Sequence, residues 1–355
     1  MHFTLKEENY VIIENGSWRT KAGIGVSDTN QSPSVIILTE VAKQAESDLD
    51  KQNENFGQQE ISSISDNSGP NSPDNTTSKV TVKEPTYICG SQLKELKESN
   101  NNTVSSFPIQ RGVIVNWEEL EALWRHIILK ELNIKRARNE CPVLVTVPNS
   151  WTKEHFERIA HIFFETFNAP GLYIANQALM TLYGIGCLSG LVIDVGYGKT
   201  EITPIIDCSV QYHAAITIPI AGQDFDEYFL SLLLSDIQFL MEYGETPDIE
   251  VARILKEPDN TCEITIGPER FQVVEPIFNP LLMKKRVFSL YLRRFIRQYL
   301  IVNQTNEMCY ERILLLLVDH LLLKGFKDRL GKEVFFNSQE KPELAGYLGA
   351  AITAK

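Results

Sequence analysis

"VIIENGSWRTKAGIG", Val11 to Gly25, joins an apolar run ending in an acid to a small-residue turn and a second apolar run. A strand, turn and strand of this kind cradles a phosphate on backbone amides when glycine lets the chain come close. Trp18 stands inside that turn, where bulk is least tolerated. The same order returns further on: Val192-Ile193-Asp194-Val195-Gly196 repeats the pattern of Ile12-Ile13-Glu14-Asn15-Gly16. The repeat predicts an internally duplicated fold whose two lobes bring their turns face to face across a cleft.

Between the two turns, strand and helix patterns alternate. "RGVIVNWEELEALWRHIILKELNI" opens as a short strand and continues as a helix, with Glu118 and Glu119 in its first turn and Leu120, Leu123, Trp124, Ile127 and Ile128 as its apolar stripe. "CPVLVTVP" reads as a buried strand ended by Pro148. "TKEHFERIAHIFFETFN" reads as a helix with Phe156, Ile159, Ala160, Phe163 and Phe167 on one face. "GLYIAN" and "QALMTLYGIG" add a strand and a helix. After the second turn come two more strands and a helix beginning near Gly222. The run from Ile313 to Leu323, interrupted by Asp319 and His320, is too short to span a bilayer and reads as a buried strand. Alternation of this kind specifies an α/β fold.

Composition narrows the function classes. The 355 residues, 43% of them hydrophobic, are enough for a large buried core. Neither an N-terminal secretion signal nor a long uncharged apolar stretch is present, so no membrane partner is expected. Six cysteines occur without any Cys-x-x-Cys pair and read as small core residues. A net charge of -12 argues against direct sequence-specific nucleic-acid binding and favours a basic protein partner. From about residue 43 to 85 the chain is rich in Ser, Asn, Asp, Gln and Glu, with Phe56 its only aromatic residue. This stretch reads as a disordered surface insertion within one fold.

The two turns, together with "RGVIVNW", "FETFNAPGLYIANQALMTLYGIG" and "IGPERFQVVEPIFNP", resemble actin and the actin-related proteins over most of the chain outside the insertion. The resemblance implies an α/β, actin-like fold of two lobes with duplicated ribonuclease H-like topology. The first lobe would cover residues 1–189 and the second, with a shortened outer subdomain, 190–335. Residues 336–355 would return to the first lobe and stop short of its terminal helices. It also implies a cleft for ATP with a divalent ion. Carried over as nucleotide contacts are Gly16, Ser17 and Lys21 in the first turn, and Asp194, Gly196, Gly198 and Thr200 in the second. Gly222 falls near the ribose, Lys256 and Glu257 on the adenosine side, Gln177 at the water-positioning place, and Asp194 and Glu14 near the metal.

The residues themselves leave other readings open. Gln177 also reads as a helix N-terminus, Asp194 as a turn-capping acid, and Lys21 as the partner of a lobe carboxylate. Trp18 also reads as an aromatic plug in an empty phosphate space. Against the family pattern, Trp18 replaces a glycine, Tyr197 an aspartate that helps hold the metal's water shell, and Glu201 a histidine beside the attacking water. No Gly-Gly follows "RILLLL". Without water positioning and metal neutralisation, phosphoryl transfer loses its main sources of rate, so hydrolysis is not expected.

"VIIENGSWRTKAGI" looks most like the fungal nuclear subgroup of the SWI/SNF and RSC chromatin remodellers. That likeness implies a non-catalytic nuclear subunit paired with a second actin-related protein and bound, beside other remodeller subunits, to the basic helicase-SANT-associated helix of the remodeller ATPase. A pointed-end subunit of dynactin and an ATP-hydrolysing actin-like protein are the alternatives.

Overall fold

The computed structural model describes residues 10–25, 32–43, 86–99, 103–136, 139–236, 240, 244–256, the isolated positions 272, 276 and 282, and the backbone of 313–316 and 337–338. The first repeat is a meander. Val11–Glu14 (β1) runs antiparallel to Arg19–Ile24 (β2), which runs antiparallel to Val35–Leu38 (β3). Every residue of β1 is buried, as expected for a central strand covered on both faces.

Glu40–Ser106 forms a compact unit of its own. In it Val41–Lys43 (β4) lies between Tyr87–Cys89 (β5) and Ser105–Ser106 (β6), antiparallel to both, and Gly90–Ser99 (α1) follows β5. The Glu40 carboxylate accepts from Lys97 Nζ and Ser105 Oγ, both at 2.5 Å, tying helix and strands together. The insertion expected at about 43–85 falls within this unit. All of it beyond Lys43 lies outside the described residues.

In the larger unit, Ile109–Gln110 (β7) and Val113–Ile114 (β8) form a hairpin closed by Arg111 and Gly112. Trp117–His126 (α2) follows, capped by the Asn116 side chain, which accepts from the Glu118 and Glu119 amides. The stripe from Leu120 to Ile128 is buried as its spacing requires. Val143–Val147 (β9) pairs parallel with β1, and Lys153–His161 (α3) precedes Leu172–Asn176 (β10), which pairs parallel with β9. Both α2 and α3 end in a widened π turn, Ile127–Glu131 and Ile162–Thr166, then stop at a left-handed asparagine, Asn133 at φ 53° and Asn168 at φ 52°. The π turn departs from the simple helical spacing: Ile162 is buried beside Ile159, Phe163 and Phe167, whereas Phe156 and Ala160 are only partly covered. Gln177–Gly184 (α4) is capped by Asn176 accepting from the Leu179 amide.

The second repeat builds the same sheet again. Gly190–Val195 (β11) and Thr200–Ile206 (β12) are antiparallel, and β12 also pairs with Ser209–Val210 (β13) and Ile216–Ile218 (β14). Gly222–Leu233 (α5) and Ile249–Lys256 (α6) pack together before Ile313–Leu316 (β15) and Asn337–Ser338 (β16). The first sheet has the order β10-β9-β1-β2-β3 and the second β16-β15-β11-β12-β13. In each, an antiparallel meander is extended by two parallel strands on the far side of its first strand. The duplication read from the two turns is therefore a duplication of whole sheets. Of the run from Ile313 to Leu323, the first four residues form β15, and 317–323 lie outside the described residues. The second sheet continues through Ser338, a little past the boundary drawn at 335.

The first turn is anchored in the core of its lobe. Trp124 Nε1 donates to Asn15 Oδ1 at 2.9 Å, and the indole, with no exposure, packs at 5.2 Å from Phe163. Trp124→Ala is expected to cost about 3–5 kcal/mol in chemical denaturation. Trp124→Phe should cost about 1–3 kcal/mol, because it leaves the Asn15 oxygen buried without its donor.

Candidate functional site between the two glycine turns

Each turn is held tightly by its own backbone. A Cβ on Gly16 would lie 2.5 Å from the Arg19 carbonyl oxygen, so only glycine fits there, and Thr39 Oγ1 donates to Gly16 O at 2.8 Å. In the second turn the Gly196 amide donates to Lys199 O at 3.0 Å. The first amides of α5 bind the back of that turn: Gly222 N to Gly196 O at 3.0 Å and Gln223 N to Tyr197 O at 2.8 Å. These helix N-H groups would otherwise be open to an anion.

The turns face one cavity. Of the residues singled out in the sequence, Glu14, Gly16, Ser17, Lys21, Gln177, Asp194, Gly196 and Gly198 line it, joined by Trp18, Tyr197 and Lys199. Thr200 and Gly222 are not among its lining residues, and the Thr200 hydroxyl donates to Ile220 O at 2.6 Å. Lys256 closes α6, and Glu257 lies outside the described residues. The cavity encloses about 60 Å³. Small-molecule sites run to about 300–1,000 Å³, and as closed here this space takes a few waters.

The acids of the two turns meet opposite surroundings. In the first sheet Glu14 stands across from Lys21, with Nζ to Oε1 at 3.6 Å, and Gln177 Nε2 donates to Glu14 Oε1 at 3.4 Å. In the second sheet Asp194 stands across from Glu201, a pairing of like charges. Lys199 Nζ answers Glu201 at 2.5 Å, so that carboxylate is neutralised where it sits and is not among the cavity's lining residues. Asp194 Oδ1 is shut off from solvent and accepts no hydrogen bond. Burial first, and then the charges of Glu201 and Glu14, push the Asp194 carboxyl up to about 7. An oxygen without a donor suits a cation, and a cation bound there would draw the carboxyl back to its ionised form. Among the described residues no cluster of three His, Cys, Asp or Glu side chains is placed to hold a metal.

Contacts between the two lobes join Trp18 and Tyr197, both conspicuous in the sequence, to Phe107, Arg253, Arg111 and Asp224, which are not. Trp18 stacks on Phe107 at 5.3 Å and meets Tyr197 from the second turn at 4.8 Å. The guanidinium of Arg253, on α6, lies 4.1 Å above the Trp18 ring, donates to Tyr197 Oη at 3.1 Å, and pairs with Asp226 at 3.3 Å and Glu250 at 2.6 Å. Burial by itself would lower the Arg253 pKa, but Tyr197, Glu250 and Asp226 more than offset it. Arg111 donates to both oxygens of Asp224, at 3.0 and 3.1 Å, a hydrogen bonding that raises its pKa further. Asp224 also accepts from the Ala221 amide at 2.9 Å at the start of α5. The only local signal for these partners was the pair of acids in "GQDFD", two residues apart at a helix start. Their arginines are remote in sequence.

Two expectations follow from this geometry. Asp194 is raised from an ordinary value of 3.8 to about 7, so its ionisation penalty is absent at pH 4 and complete above pH 7. Asp194→Asn should therefore raise the thermal midpoint at pH 8, change it little at pH 4, and flatten the pH profile between. Arg111→Met leaves the fully buried Asp224 without its cation and should cost about 2–3 kcal/mol in urea unfolding. That is below the range for a fully buried pair, because the Arg111 side chain keeps 37% of its surface exposed.

The chain matches the Actin family over residues 5–254. It is 30% identical over 255 residues to the Schizosaccharomyces pombe protein named SWI/SNF and RSC complexes subunit arp9, an alignment covering 68% of this chain and 48% of that protein. It is 27% identical over 320 residues to Actin-related protein 7 of Arabidopsis thaliana, covering 77% of this chain and 87% of that one. The chain thus spans about half the length of its fission-yeast relative. With two sheets of one topology facing a shared cleft and a family match across both turns, this chain belongs to the actin family.

Proposed function

We propose that this chain is a structural, non-hydrolysing actin-related subunit of a nuclear chromatin-remodelling complex of the SWI/SNF and RSC kind. The observation that carries the reading is the 30% identity with arp9, whose name places that protein in those complexes. In this role the protein pairs with a second actin-related protein and binds a long basic helix of the remodeller ATPase, regulating DNA translocation and transcription without chemistry of its own. The charge of -12 supports a basic partner. The small cavity and the Trp18 ring within its lining support the absence of hydrolysis.

Affinity purification of the tagged protein from native extract in moderate salt, followed by mass spectrometry, tests the assignment. Co-recovery of a remodeller ATPase with a second actin-related protein is the expected result. Dynactin components instead, or the protein alone, would overturn it. ATP turnover by the purified chain above that of monomeric actin would overturn the non-hydrolysing part separately.

A further inference from the structure

We infer that the chain's own side chains, Trp18 with Arg253 and Arg111 with Asp224, lock the two lobes shut, so that closure of the cleft needs no bound nucleotide. In a two-lobed protein with a central cleft, something must bridge the halves. A nucleotide does so by touching both turns at once. Here both turns are bridged by protein.

One bridge is aromatic. Trp18 and Phe107 come from the first half of the chain, Tyr197 and Arg253 from the second, and the four form one contiguous cluster across the cleft. Arg253 is 91% buried, so its attraction to the indole face is only weakly screened. Asp226, with no exposure, pairs with the same guanidinium at 3.3 Å.

The second bridge is ionic and is made from a strained backbone position. Arg111 sits at φ 50° and Gly112 at φ 74°, a two-residue hairpin loop in the left-handed region that favours Asn-Gly. An arginine there is costly unless its side chain is needed, and its guanidinium is spent on Asp224 of the opposite lobe. The lobes meet backbone to backbone beside it: a Cβ on Gly198 would lie 2.7 Å from Arg111 Cα and 2.9 Å from Ser17 Oγ. Gly198 is thus needed for the approach of the two lobes. The Lys199 side chain passes over Gly112 to Ser150, at 2.9 Å, and to Glu201. The groups that would open to admit a ligand are holding each other.

The inference does not depend on which complex the protein joins, and its test uses the purified full-length chain alone. Hydrogen–deuterium exchange, after chelation and exhaustive washing, should find the segments 14–19 and 195–199 protected, with no change on adding magnesium and ATP. Arg253→Leu should speed exchange in both segments about tenfold while β9 stays protected. Arg253→Lys, which keeps the charge but loses the flat stack, should fall between. If Arg253→Leu unfolds the whole chain, Trp18→Phe takes its place, with faster exchange in both segments as the expected result. Free exchange of both segments in the washed wild-type protein would overturn the lock. So would marked protection by magnesium and ATP, or a local variant that leaves both segments unchanged.

Discussion

A carboxylate with no exposure to solvent has to be answered by a charge, and Asp224 at the start of α5 is such a group. Its cation is Arg111, from a hairpin in the other lobe, more than a hundred residues earlier. With the lobes together Arg111 offsets the desolvation of Asp224, and the helix that presents Asp224 grips the second glycine turn with its first amides. Cap, turn and lobe closure are therefore one cooperative arrangement. Asp226, two residues on, extends it by holding Arg253 against Trp18.

The duplicated sheets show how one framework supports unlike chemistry. At equivalent places β1 ends in Glu14 facing Lys21, and β11 presents Asp194 facing Glu201. The first pair is self-neutralising. The second is buried and concentrates negative charge, which together raise the Asp194 pKa, and Lys199 offsets Glu201. Both lysines that line the cavity are already paired, Lys21 with Glu14 and Lys199 with Glu201. The same groups do contribute to holding the fold.

Trp18 joins these features. In the sequence it looks like a misfit in a small-residue turn, with two readings: a spoiled phosphate loop or an aromatic plug. In the folded chain it is neither a core residue nor a bare intruder. It is partly exposed, its carbonyl accepts from the Thr39 amide, and its ring carries an arginine from α6. Its value lies in what it touches across the cleft.

The sequence by itself determined the α/β class, the two strand-turn-strand repeats, the stripes of α2 and most of that of α3, and the convergence of Glu14, Gly16, Lys21, Gln177 and Asp194 on one place. All but the last follow from local periodicity or from turn chemistry repeated along the chain; the convergence of those five residues was what the resemblance to actin implied. Only the tertiary structure decided the π turns that reset the ends of α2 and α3, the diversion of Thr200 and Gly222 to backbone partners, and the choice of Arg111 for Asp224 and Arg253 for Trp18. Those depend on which remote groups are brought within a few ångströms of a buried charge or ring. Nothing in a linear pattern encodes the partner that desolvation will demand.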